Sequence, residues 1–139
     1  MAKHVPISSP QAPPPVGPYS PGVRADDLVF ISGQLPINME TKKLAGADIA
    51  SQTHQAIKNV QHLLEATGAT LGNVVKTTVY LKNLEDFKAM NEVYAQYFVI
   101  NPPARACVEV ARLPYNCLIE IDAIAYHERP ATGLDRPGF

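Results

Sequence analysis

Residues 48–98 read DIASQTHQAIKNVQHLLEATGATLGNVVKTTVYLKNLEDFKAMNEVYAQYF, and the periodicity of this stretch changes twice. From 49 to 67, Ile49, Thr53, Ala56, Ile57, Val60, Leu63, Leu64 and Thr67 recur at intervals of three and four. That spacing lays one apolar stripe along a helix. Asp48 suits the N-cap, because its carboxylate can accept a first-turn amide, and Gly68 suits the stop. Gly72-Asn73 then turns into Val74–Leu81, whose valines and threonines predict a strand. A second helix is expected over 84–98, capped by Asn83, with Leu84, Phe87, Met90, Val93, Tyr94, Tyr97 and Phe98 on its buried face. Pro102-Pro103 ends anything helical.

Upstream, Leu28-Val29-Phe30-Ile31 is a short β-rich run ended by Ser32-Gly33, and it can pair with Tyr19–Arg24 as a hairpin. Val5 and Ile7 suggest an edge strand, where Pro6 is tolerated. Residues 10–22 are dense in proline and glycine and predict an extended lead-in, while 37–48 predict a loop or irregular hairpin. Downstream, Arg105–Ala111 and Leu118–Tyr126 predict two strands, and an extended or mobile tail follows from His127. Two helices of about 15 residues among the strands imply an α/β (α+β) sheet covered on one face. The other face then needs a second subunit, so an oligomer is expected.

A chain of 139 residues is expected to form one domain, with residues 1–16 as strand and lead-in and 128–139 as tail. An apolar fraction of 46% and a net charge of -1 argue against disorder as the main state. The same balance gives no electrostatic argument for nucleic acid. No apolar run approaches the roughly 20 residues of a membrane span, and the N-terminus has no signal-peptide core, so a cytoplasmic location is expected. Cys107 and Cys117 do not build a disulfide framework or a zinc site. His54 and His62, eight apart, point to different sides of the first helix. No metal or organic cofactor is expected. Dinucleotide and phosphate loops, Ser-His-Asp signatures and HExxH runs are missing from the sequence.

The informative residues are charges inside apolar strands, because an unpaired buried charge costs several kcal/mol (about 3–5) or titrates away. Alternation places Arg105, Cys107 and Glu109 on one face of their strand, and Glu120 and Asp122 on one face of theirs. From residue types alone, an ion pair between Arg105 and Glu120 or Asp122 outweighs a ligand site. A guanidinium is nevertheless the side chain best suited to bidentate capture of a carboxylate.

Four segments then align with a known pattern: VGPYSPGV (16–23), LVFISGQLP (28–36), NVVKTTVYLKNLEDFKAMNEVY (73–94) and PPARACVEVARLPYNCLIEIDAIA (102–125). In this order and spacing the chain closely resembles the RidA/YjgF family. The resemblance implies a chorismate-mutase-like fold with one mixed sheet covered by two helices, assembled as a homotrimer around a central barrel. It further implies inter-subunit clefts for small carboxylic acids. There, 2-aminoacrylate and related enamines or imines would be hydrolysed to 2-oxo acids and ammonia, a detoxification of reactive metabolites. Under it, Arg105 matches the residue that clamps the substrate carboxylate, and Glu120 the one that positions or activates water. Tyr19, Ser32, Gly33 and Cys107 match cleft-lining positions, and Asn91 matches a structural or supporting position. The resemblance reverses the ion-pair preference for Arg105. The alternatives to this reading are a ribonuclease or translation inhibitor, which the lack of a basic run or aromatic stacking motif disfavours, and a non-catalytic 2-oxo-acid-binding or chaperone-like module.

Overall fold

The computed structural model describes residues 4–129. Ten elements follow in chain order: strands β1 (Val5–Ile7), β2 (Gly22–Ala25), β3 (Leu28–Gln34), β4 (Ile37–Asn38) and β5 (Lys43–Leu44), helix α1 (Ile49–Glu65), β6 (Val74–Leu81), α2 (Phe87–Tyr97), β7 (Ala104–Glu109) and β8 (Ile119–Tyr126). The six longer-range strands form one sheet in the order β1-β2-β3-β8-β6-β7, while β4 and β5 form a small separate ribbon. Every neighbouring pair in the sheet is antiparallel except β6 and β7. Those two are parallel because α2 carries the chain back between them, as a crossover must. The sheet is therefore mixed, with two helices, as expected.

Alternation along β8 shows how the helices are seated. Ile119, Ile121, Ala123 and Ala125 are buried, and the intervening Glu120, Asp122 and Ile124 are not. The buried set meets Ile57, Val60, Leu63 and Leu64 of α1 together with Val29, Ile31, Val79 and Leu81. Enclosing each such side chain contributes about 1.5–3 kcal/mol. The reverse face exposes Leu28, Phe30, Val108 and Tyr126. A half-covered sheet is thus a property of the folded chain.

Helix α1 starts where Asp48 accepts the Ser51 amide at 2.9 Å, and a left-handed Gly68 (φ 87°) turns the chain after it. Its buried amides also bind the loops. Asn59 donates to the carbonyls of Leu35 (2.9 Å) and Ile37 (3.0 Å), and Gln52 accepts the Leu118 amide at 2.8 Å. These bonds fix the segment after β3 and the entry to β8, the two segments that flank Glu120.

Three expectations need correction. The expected helix 84–98 begins as a 3-10 turn (Leu84–Asp86), with Asn83 accepting the Glu85 amide. Leu84 and Phe87, assigned to its buried face, are 46% and 40% exposed. Ser32-Gly33 does not end β3. The strand continues to Gln34 through a bulge, in which Ile31 pairs with Ala123 and Gln34 with Ile121. Two residues therefore face Asp122 alone. Pairing of β2 covers Gly22–Ala25 rather than 19–24. Most of the expected C-terminal tail, residues 130–139, lies outside the described residues.

Candidate functional site

Arg105 sits on β7 directly opposite Thr77 of β6, which is fully buried, so its side chain is on the helix-covered face. There its Nη1 donates to Asn91 Oδ1 of α2 at 2.7 Å. Its Cζ lies 4.8 Å from the ring centroid of Tyr94 and 5.5 Å from that of Phe87. Both separations are within cation–π range. Tyr94 is itself fastened by a 2.7 Å hydrogen bond between its hydroxyl and Thr77 Oγ1. The guanidinium is half-buried, and no described carboxylate pairs with it. Cys107 follows two residues on; burial pushes its thiol up, and the nearby guanidinium only partly opposes this. That is a packed thiol rather than an activated nucleophile.

Glu120 lies on the opposite face. It pairs with Tyr80 on β6, three positions along β8 from the row that contains Arg105, Thr77 and Ala123. Strand spacing and rise put the two Cα atoms roughly 14 Å apart, with the side chains diverging. The expected ion pair between Arg105 and Glu120 or Asp122 is therefore ruled out within one copy.

Around Glu120 is a cavity of about 450 Å³, lined by Tyr19, Ser32 and Gly33 and also by Pro14, Val16 and Tyr115. The bulge at Ser32-Gly33 forms its wall, pinned by donation from Ser32 Oγ to the Ser20 carbonyl at 2.7 Å. The carboxyl of Glu120 packs so closely on Gly33 that a Cβ there would lie 2.8 Å from Glu120 Cδ. Among the described residues no hydrogen-bond donor reaches it. Burial foremost, then the charge of Asp122, raises its pKa from the ordinary glutamate value. A larger groove of about 660 Å³, between Gln11, Glu40, Lys58 and His62, contains none of the expected site residues.

The expected residues thus fall into two groups: Arg105, Cys107 and Asn91 on one face, and Tyr19, Ser32, Gly33 and Glu120 on the other. Sequence reasoning missed five contributors. Phe87 and Tyr94 were read as core. Tyr115 sits in a left-handed turn (φ 57°) signalled only by Pro114 and Asn116. Pro14 and Val16 belong to a lead-in whose composition names no function.

Comparison with known proteins settles the lineage. Residues 9–127 match the family described as Endoribonuclease L-PSP. The chain belongs to that family. It is 51% identical over 128 residues to a RutC family protein of Pyrococcus abyssi, covering 92% of this chain and all of the relative. It is 44% identical over 122 residues to the 2-iminobutanoate/2-iminopropanoate deaminase of Escherichia coli strain K12, covering 86% and 94%. The crystal structure of Escherichia coli TdcF with bound serine superposes with a TM-score of 0.85 at 38% identity, covering 89% of this chain and 99% of that one. The RidA/YjgF resemblance and the mixed-sheet fold are both borne out. Among the described residues, no helix is long and apolar enough to cross a membrane.

Proposed function

We propose that this single-domain protein is a cytoplasmic enamine/imine deaminase, a homotrimer whose active sites form where one copy's Arg105 face meets the next copy's Glu120 cavity. The observation that carries this reading is the split of the site. A guanidinium clamped on an aromatic shelf without an acidic partner lies on one sheet face, and a half-buried carboxyl without a donor lies on the other. Neither is complete alone, and the exposed apolar residues of the open face supply a surface for a second copy. Relatives named for 2-imino acids, and one crystallised with an amino acid, support a small carboxylate as the ligand.

In this reading Arg105 grips the carboxylate of a 2-imino acid in the fork geometry that suits it. An enamine reaches the same state once its methylene carbon is protonated. Water adds to carbon two of the iminium, forming the C–O bond while the C=N π electrons move to nitrogen. Glu120 takes one proton from this water and gives one to the amino nitrogen. The C–N bond then breaks with its electron pair leaving on ammonia, and the hydroxyl proton returns to Glu120, leaving the 2-oxo acid. Fixing the carboxylate supplies part of the roughly 7–11 kcal/mol available from orientation, and proton transfer by Glu120 about 10²–10⁴ in rate. Cys107, Tyr19, Ser32 and Gly33 shape the cleft, and Asn91 holds the arginine.

The test is a coupled assay in which a dehydratase or amino-acid oxidase generates the imine and 2-oxo acid release is followed. Wild-type protein accelerates release, and folded Arg105→Ala does not. Equal acceleration by the variant removes Arg105 from the mechanism. RNA cleavage lost with Arg105 would favour a nuclease instead, and saturable 2-oxo acid binding without turnover would favour a sensor.

A further inference from the structure

Asp122 lies two residues from Glu120 on β8, so their carboxyls share the open face of the sheet. It is tightly held. Its Oδ2 accepts the Tyr80 hydroxyl at 2.9 Å, and its Oδ1 accepts the Thr78 amide at 3.2 Å. Tyr80 and Thr78 are the β6 residues paired with Glu120 and Asp122. The result is a carboxyl held in place by two donors beside one that receives no hydrogen bond from any described residue. We infer that Asp122, anchored by Tyr80 and Thr78, is a positioning residue that keeps Glu120 supplied with the proton it delivers to the departing nitrogen. This rests on the proton-transfer role proposed for Glu120.

The chemistry calls for such a device. Ammonia leaves only after its nitrogen has been protonated, and a carboxyl that ionises too readily is a poor acid near neutral pH. Two carboxyls at close quarters resist ionising together, so Asp122 favours the protonated form of Glu120 and helps it hold the proton taken from water until the nitrogen accepts it. The charged and titratable groups facing Glu120 are few. From β6 come Tyr80, bonded to Asp122, and Lys82, whose ammonium donates to Asn116 Oδ1 at 2.7 Å. The lead-in contributes Tyr19 and the turn before β8 contributes Tyr115, both on the cavity wall. β3 offers only uncharged residues, Ser32, Gly33 and Gln34. Lys76 is turned toward Thr78 Oγ1 at 3.3 Å. A neighbouring copy's Arg105 would be common to every variant and cancels in the comparison.

The experiment measures Glu120 directly, by carbon-13 NMR titration of the side-chain carboxyl in the assembled protein, alongside pH profiles of kcat. Asp122→Asn should move the Glu120 titration, and the profile limb that Glu120→Gln abolishes, to lower pH. Asp122→Glu should return both toward the wild-type position. Asp122→Ser, which removes the same charge, should shift both in the same direction and stands in if Asp122→Asn does not fold. An unmoved titration in folded Asp122→Asn overturns the inference while leaving Glu120 as the proton carrier. A pH profile unaffected by Glu120→Gln overturns both, because Glu120 then carries no proton.

Discussion

The Arg105 guanidinium donates to Asn91 across 2.7 Å, and that bond fixes the cation on the helix face of the sheet, with Tyr94 4.8 Å beneath it. Removing the acceptor leaves the cation aimed by aromatic contact and a long, weak bond from Nη1 to Met90 Sδ at 3.9 Å. Asn91→Ala is expected to raise KM for the imine about tenfold or more, since a hydrogen bond to a charged group is worth roughly 1.5–3 kcal/mol. The effect on kcat should be smaller. Steady-state kinetics with an oxidase-generated imine separates the two. A variant with wild-type KM would show that Asn91 does not hold the arginine for its ligand.

Gly33 leaves no room beside the Glu120 carboxyl. Gly33→Ala would put a Cβ 2.8 Å from Glu120 Cδ and 3.1 Å from Cγ, forcing the carboxyl to move within its own cavity. A displacement of about 1 Å can cost up to roughly 10² in rate when geometry sets the barrier. We expect kcat to fall at least about tenfold while the urea midpoint changes little, because the displaced group is a side chain end rather than backbone. Unchanged kcat would mean that the position of Glu120 is not critical.

Burial and Asp122 hold the Glu120 pKa above its unfolded value. The folded protein therefore binds this proton more tightly than the unfolded chain does. Its contribution to stability is present below the unfolded pKa and is lost as pH rises through the folded one. The stability of wild type relative to Glu120→Gln should accordingly decline as pH rises from about 4 upward. Thermal melts of both proteins across that range give the difference directly. A flat difference would show that Glu120 titrates alike in both states.

Asn59 of α1 is buried and donates to both the Leu35 and Ile37 carbonyls, whose residues line the Glu120 cavity. Asn59→Ala strands those carbonyls and should cost about 2–3 kcal/mol, read as a lower denaturation midpoint with kcat also reduced. Intact activity at full stability would mean that the wall is held some other way.

Much of the fold was legible because periodicity reports burial. The three-and-four spacing in α1 and the alternation in β8 marked the faces that pack, and Asp48 and Asn83 marked two caps. The ends of β3 and α2 were not legible. The bulge at Ser32-Gly33 depends on the register against β8, and the exposure of Leu84 and Phe87 depends on tertiary packing that periodicity does not report. For the site, Arg105 and Glu120 stood out as charges inside strands. Their placement on opposite faces did not, because alternation fixes faces within one strand and only cross-strand register relates two. Arg105 opposite buried Thr77, and Glu120 opposite Tyr80, supply that relation.

The shared site can be tested with two inactive proteins. Arg105→Ala and Glu120→Gln are coexpressed with different tags, and complexes carrying both tags are purified and assayed. In a trimer that carries both tags one of the three interfaces joins an intact Arg105 to an intact Glu120, so about a third of wild-type activity should appear where each variant alone has almost none. Mixed complexes as inactive as their parents would place both residues within a single copy's site and contradict the account.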